Sequence, residues 1–291
     1  MKQTVIIFSH YVKIRKKGGR LIINTNKIKN TLPVSNIDGI LIYGKVFLTS
    51  DAISLCVSKK IPIILLNKYG KIKALIIPPD TSEFMNKRLK QTGLYFLKRF
   101  DIAKYIIKRK ISEIENMFDI NLEHFKLEVE RANDYASLLG IEGLTSRLMF
   151  KNFAEMLKDT DFEFEERSYH PPKDEVNALL SFVYSLGYNL AIALILLKGF
   201  DPYISFLHTK KGSHAAFASD LLEIIRPNLT FFTLDLLLNK EIVKNDFNKD
   251  GSSIFIKKSS IYKILEKFNT LKDELIDLMK EFLIDIEKFN F

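Results

Sequence analysis

Cysteine occurs once in the 291 residues, at Cys56. The chain can therefore form no internal disulfide and no cysteine-based zinc cluster. Other signatures are missing too. No G-x-x-x-x-G-K-[ST] loop and no G-x-G-x-x-G turn occurs, which removes the usual basis for a nucleotide cofactor. There is no G-x-S-x-G elbow, and no serine stands with a histidine in a recognisable motif, so serine-type catalysis is disfavoured. The longest apolar run, Leu190 to Leu197, is eight residues, far short of a membrane span. The opening residues MKQTVIIFSHYVKIRKK regain charge at Lys13 and fit a first strand better than a cleavable signal peptide. No internal repeat and no low-complexity segment is present. These absences point to a cytoplasmic globular protein with no membrane partner.

What remains is ordinary in amount and uneven in distribution. Hydrophobic content of 47% and charged content of 27% suit a chain with a real core. The formal net charge is +9. Residues 1–80 hold 14 Lys and Arg against 3 Asp and Glu, whereas the remaining residues hold 30 against 32. A basic domain beside a near-neutral one suggests a polyanionic partner, because each cation near a phosphate displaces a condensed counterion. A merely soluble basic surface is the alternative on charge alone.

The texture changes along the chain. TVIIFS, RLIINT, GILIYG and IPIILLN are short β-branched runs separated by KKGG, SNIDG and NKYGK turn signals. One helix interrupts them at Ser50 to Lys60, with Ser50 as its expected N-cap. Pro78 to Glu83 looks like a linker. Beyond Phe84 apolar residues recur at three- and four-residue spacing, opposite faces rich in Lys and Arg. Helices are expected near 124–139, 141–158, 173–198 and 214–225, with two more after Ser259. The expected fold class is α+β, with a β-rich domain over residues 1–80 and a larger all-helical domain over 81–291.

Three places in the helical part could carry chemistry. Asp220 and Glu223 stand three apart, hence on one helix face, among Leu221, Leu222, Ile224 and Ile225. A desolvated carboxylate pair needs a cation, an arginine or a metal nearby; an exposed surface pair is the alternative. Glu142 lies between Gly140 and Gly143 in a stretch that otherwise reads as a buried helix. Two helix-weakening glycines there suggest close approach by something bulky, unless the glutamate is simply solvated. His208 closes the apolar segment GFDPYISFL and is either a satisfied polar residue or a ligand. His10, His124, His170 and His214 have no comparable setting. One imidazole and two or three carboxylates describe an N/O site suited to Mg²⁺ or Mn²⁺. Along KRFDIAKYIIKRK, Lys98, Arg99, Lys108, Arg109 and Lys110 are either phosphate contacts or a solvated helix face.

The order of these segments resembles a known family. LLGIEGLTSRLMF, HPPKDEVNALLSFVYSLGY, GFDPYISFLH and SDLLEIIRP follow one another as in the CRISPR-associated spacer-acquisition integrase and endonuclease family, the integrase of the adaptation module. GKVFLTSDAISLCVSKKIPIILLNKYGK matches its β domain more loosely. The resemblance implies that Glu142, His208 and Glu223 are the metal ligands and that Asp220 lies close by in support. It implies 3′-hydroxyl attack of a spacer fragment on a CRISPR repeat by transesterification, and endonuclease activity when water attacks instead. It also implies double-stranded DNA, a homodimer joined through the β domain and a small second adaptation protein; in the sequence itself, VIIFS and IIN offer exposed sheet edges that a symmetric partner could cover. One departure is that the HTKKGSHAAFASD loop has few arginines. A non-catalytic DNA-binding scaffold and an RNA-directed metal nuclease are the rival functions.

Overall fold

The computed structural model describes residues 2–25, 29–168, 172–209, 212–250 and 253–290. His170, the His10 side chain, and Lys210 and Lys211 of the arginine-poor loop fall outside what is described. The chain divides into two compact units, Met1–Thr92 with Ile192–Pro202, and Gly93–Ala191 with Tyr203–Phe291.

The first unit is built on a six-stranded sheet. Its strands are β1 (Gln3–Lys17), β2 (Arg20–Thr25), β3 (Lys29–Pro33), β4 (Ile37–Leu48), β5 (Ile63–Leu66) and β6 (Ile72–Ile76). Their order across the sheet is β3-β2-β1-β4-β5-β6. β1 runs parallel to β4 and β4 parallel to β5, while β1–β2, β2–β3 and β5–β6 are antiparallel. The β1–β2 turn places Gly18 at φ +57, a conformation that glycine adopts without steric cost. The helix α1 (Ser50–Ser58) links the parallel strands β4 and β5. Its N-cap is Thr49, whose side chain accepts the Ala52 N–H, rather than the expected Ser50.

One face of this sheet packs on α1, and at β4 and β5 the other face, with Leu41, Tyr43, Ile64 and Leu66, is buried too. Val12, Ile14, Leu21, Ile23, Ile40, Ile42 and Ile63 pack with Ala52, Leu55 and Cys56 of α1. Each such aliphatic side chain contributes roughly 1.5–3 kcal/mol by leaving water. The segment 192–202 is fastened to the unit by polar contacts. Lys198 Nζ lies 2.6 Å from Asp38 Oδ2, and Gln91 exchanges two hydrogen bonds with the Asp201 backbone at 3.0 and 2.8 Å. IIN pairs with β1 on one side and β3 on the other and is not a sheet edge, whereas VIIFS pairs with β4 alone among the described residues, because β2 reaches only Val12–Lys17 of β1; β3 and β6 are the outermost strands.

Among the described residues seven further helices follow: α2 (Ser82–Leu97), α3 (Arg99–Phe118), α4 (Glu123–Arg131), α5 (Tyr135–Met156), α6 (Glu175–Leu197), α7 (Ala216–Leu238) and α8 (Lys258–Lys288). Three differ from the sequence expectation. The break near residue 140 lies instead at Ala132–Asp134, where Asp134 caps α5 by accepting the Ser137 N–H at 2.8 Å. α7 continues through Pro227, and only one long helix follows Ser259. A short hairpin, β7 (Phe247–Asp250) with β8 (Ser253–Ile256), adds two strands to the otherwise helical part.

α6 is long and apolar enough to cross a membrane by length and composition, but 61% of its most apolar window is buried within the fold. It behaves as a core helix. Gly187 on α6 faces α7, where an added Cβ would stand 2.5 Å from Leu229 Cδ1. The missing side chain lets α6 press close against α7, the helix that carries Asp220 and Glu223.

Candidate metal centre

The site lies in the second unit, where α3, α5, α7 and the loop before α7 meet. Asp220, on the second turn of α7, is fully buried. One of its oxygens accepts the backbone N–H groups of Phe206 at 2.6 Å and Leu207 at 3.1 Å. The other accepts the His208 backbone N–H at 2.9 Å and faces His208 Nδ1 at 2.8 Å. A buried carboxylate is costly unless its acceptor sites are filled, and here the loop fills them. The loop is held from the other side as well. Tyr135 OH and Arg99 Nε both donate to the Phe206 carbonyl, at 3.0 and 3.1 Å.

This arrangement orients the imidazole. With Nδ1–H donated to Asp220, it is Nε2 that faces Glu223, 3.9 Å from its Oε1, and that carries a lone pair once the ring is neutral. Burial alone would lower the His208 pKa, but the Asp220 hydrogen bond and charge, together with Glu223, outweigh it and raise it above the ordinary value.

Glu223, one turn beyond Asp220, is 4% exposed. Its Oε2 accepts from Lys110 Nζ at 2.6 Å and its Oε1 from Arg226 at 2.6 Å. Burial pushes its carboxyl pKa up, yet the Arg226, Lys110 and His208 charges pull it down to about 2. Glu142 projects from α5 and is partly open to solvent. It accepts from Lys110 Nζ and, at 2.8 Å, from Ser146 Oγ one turn later.

Lys110 therefore joins the two glutamates, and its ammonium also donates to Ser146 Oγ at 2.8 Å. Its side chain is fully buried. Burial lowers the pKa of a lysine, but Glu223 and Glu142 more than compensate and hold this one charged.

Of the residues singled out in the sequence, Glu142, His208, Asp220 and Glu223 are brought together. The basic cluster is not. Lys108 pairs with Glu130, Arg109 with Glu281 at 2.7 Å, and Lys110 points inward, so the three do not form one solvent-facing patch. Among the described residues, and apart from the helix's own backbone and the adjoining residues, nothing comes within 4 Å of a Cβ built on Gly140 or Gly143. The expected close approach is thus not made by any described residue, and this face of α5 beside Glu142 is exposed. The sequence reading missed Ser146, Arg226 and the true place of Lys110. It also passed over His214, whose Nε2 lies 2.8 Å from Ser219 Oγ and whose ring stacks on Tyr188. A signal for Lys110 existed: it occupies the core register of α3, four residues after buried Ile106 and four before buried Ile114.

Two carboxylates and an imidazole with its Nε2 free are the donor set of a hard or borderline divalent ion. Among the described residues, however, no three His, Cys, Asp or Glu side chains are gathered closely enough to hold an ion as they stand. The donors fit in kind, and the position between the two glutamates is taken by the Lys110 ammonium.

The family model for CRISPR associated protein Cas1 matches residues 5–270. The chain is 27% identical over 303 residues to the CRISPR-associated endonuclease Cas1 of Nanoarchaeum equitans, covering 95% of this chain and 89% of the relative. Among solved structures it resembles a partial Cas6-RT-Cas1–Cas2 complex, with a TM-score of 0.83, 19% identity, and 99% and 96% of the two chains covered. It also resembles a casposase bound to integration product, with a TM-score of 0.72, 22% identity, and 93% and 86% covered. The fold is shared across these proteins, and with the family match spanning most of its length the chain is a member of the Cas1 family of CRISPR-associated proteins.

Proposed function

We propose that the chain is a metal-dependent DNA endonuclease and integrase that inserts spacer DNA into CRISPR repeat arrays, the attacking group being a 3′-hydroxyl. The observation that carries this reading is the convergence of Glu142 and Glu223 on one cation, with His208 Nε2 left free beside them by Asp220. Glu142, His208 and Glu223 would hold Mg²⁺ or Mn²⁺. A divalent ion there supplies Lewis-acid polarisation of a phosphate and stabilises the charge that develops on it. Asp220 keeps His208 in the ligating tautomer and fixes the loop that presents it. Arg226 and Lys110 keep Glu223 ionised. The open glycine face beside Glu142 leaves room for a nucleic-acid backbone to approach. A casposase that shares this fold is described with its integration product, which supports the same chemistry here.

The partners we infer are double-stranded DNA, a second copy of the chain and a small second adaptation protein, acting in the cytoplasm. A neighbour of the same fold is described in a complex with Cas2. The homodimer would form through the sheet domain, where Phe8, Tyr11 and Phe47 expose 39%, 49% and 51% of their surface. Incubation with Mn²⁺ and matched DNA and RNA substrates tests the reading. Cutting of DNA that EDTA stops is expected. Cutting of RNA alone would favour a ribonuclease, and binding without cutting would favour a scaffold.

A further inference from the structure

Lys110 is placed as no ordinary structural lysine is. It rises from the core stripe of α3, is fully buried, and its three ammonium protons meet three acceptors: Glu142, Ser146 Oγ at 2.8 Å and Glu223 Oε2 at 2.6 Å. Two of those acceptors are the carboxylates assigned above to the ion. They come from helices on different parts of the chain, and without a cation between them a buried carboxylate and a partly buried one would repel.

We propose that Lys110 is an internal stand-in for the divalent ion: its ammonium holds Glu142 and Glu223 together in the metal-free protein and gives up that position when the ion binds both. The inference rests on the metal-site reading. It makes ion binding an exchange of one cation for another. The fold then does not depend on metal to keep the site assembled, and ion affinity is set partly by how readily Lys110 withdraws. Lysine suits the task, because its charge is compact and its four-carbon stem flexible.

The test is Mn²⁺ binding without nucleic acid, followed through the free-ion EPR signal, together with thermal unfolding with and without Mn²⁺. Lys110→Met keeps the apolar stem and removes the charge. It should bind Mn²⁺ about tenfold more tightly than wild type, since the ion no longer competes with a neighbouring cation. It should also melt lower without metal and gain more from added Mn²⁺. Unchanged or weaker binding would overturn the proposal and make Lys110 a buttress that preorganises the ligands. Glu142→Gln separates the two levels: if it leaves Mn²⁺ binding unchanged in the wild-type background, the metal-site reading itself falls. Should Lys110→Met not fold, crystals of the wild-type protein with and without Mn²⁺ decide. The Lys110 ammonium should contact both carboxylates only in the metal-free crystals, and its staying between them with Mn²⁺ bound would refute the exchange.

Discussion

The Asp220 carboxylate and the His208 imidazole face each other at 2.8 Å, and the same carboxylate receives the backbone N–H groups of Phe206, Leu207 and His208. One buried acidic side chain thus fixes both the ring tautomer and the loop that carries the ring. Asp220 acts through His208, and this separates its role from that of Glu223 one turn later. Asp220→Asn replaces an acceptor oxygen with an NH₂ group that faces backbone donors. It should lower stability by about 1–3 kcal/mol, and thermal unfolding would show it. An unaltered transition would mean that the loop is held by other contacts.

A lysine outside the site sets a pH dependence. Burial of Lys272 on α8, slightly offset by the Asp273 charge, pushes its pKa down to about 7. An unfolded lysine titrates near ~10.4. Below the folded value both states are protonated, and the folded protein bears the whole cost of a buried charge. As pH rises from about 7 the folded state sheds its proton first, so the cost fades and is gone above the unfolded value. Lys272→Met should therefore melt higher than wild type at pH 7, by about 2–4 °C for each kcal/mol relieved. The gap should close as pH approaches and passes about 10, because the lysine of the unfolded chain then loses its proton as well. A gap that does not vary with pH would show that Lys272 is charged and paired throughout.

The basic surface has two candidate DNA paths, and their exposure distinguishes them. Arg15, Lys16, Lys17 and Arg20 are exposed around the β1–β2 turn. Lys108 and Arg109 already pair with Glu130 and Glu281. Replacing the four turn residues with alanine should weaken duplex binding on every sequence tested. It should also flatten the log–log salt slope by about 0.9 per lost phosphate contact. Lys108→Ala with Arg109→Ala should change the slope little. The reverse pattern would place the DNA along α3.

Much of this was legible in the sequence. Period-two and period-three-to-four patterning separated the sheet domain from the helical one, because each buries a face of fixed geometry. The D-x-x-E pair stood out as two charges in an apolar run, and its burial explains why that contrast existed. β3 and β6 were harder to see. KNTLP and IKALI mix charge and polarity because they are edge strands, partly bathed in water, and lack a continuous apolar run. α7 was expected to stop near Pro227, but tertiary packing overrides that breaker: Pro227 itself is buried, as are Asn228, Leu229 and Thr230 after it. Lys110 illustrates a different limit. Its partners lie 32, 36 and 113 residues away, so no local pattern could join them. It read as one of three basic residues in a row, although its register on α3 is that of the core.

The central claim is that Glu142, His208 and Glu223 act together to join DNA strands. The direct measurement is strand transfer of a labelled spacer fragment into a repeat-bearing plasmid with Mn²⁺, comparing wild type with Glu142→Gln, His208→Ala and Glu223→Gln. The partner adaptation protein should be present, and DNA binding followed in parallel. Wild type should join the fragment, and each variant should lose joining by at least about 100-fold while still binding DNA. Wild-type joining by any one of the three variants would contradict the account.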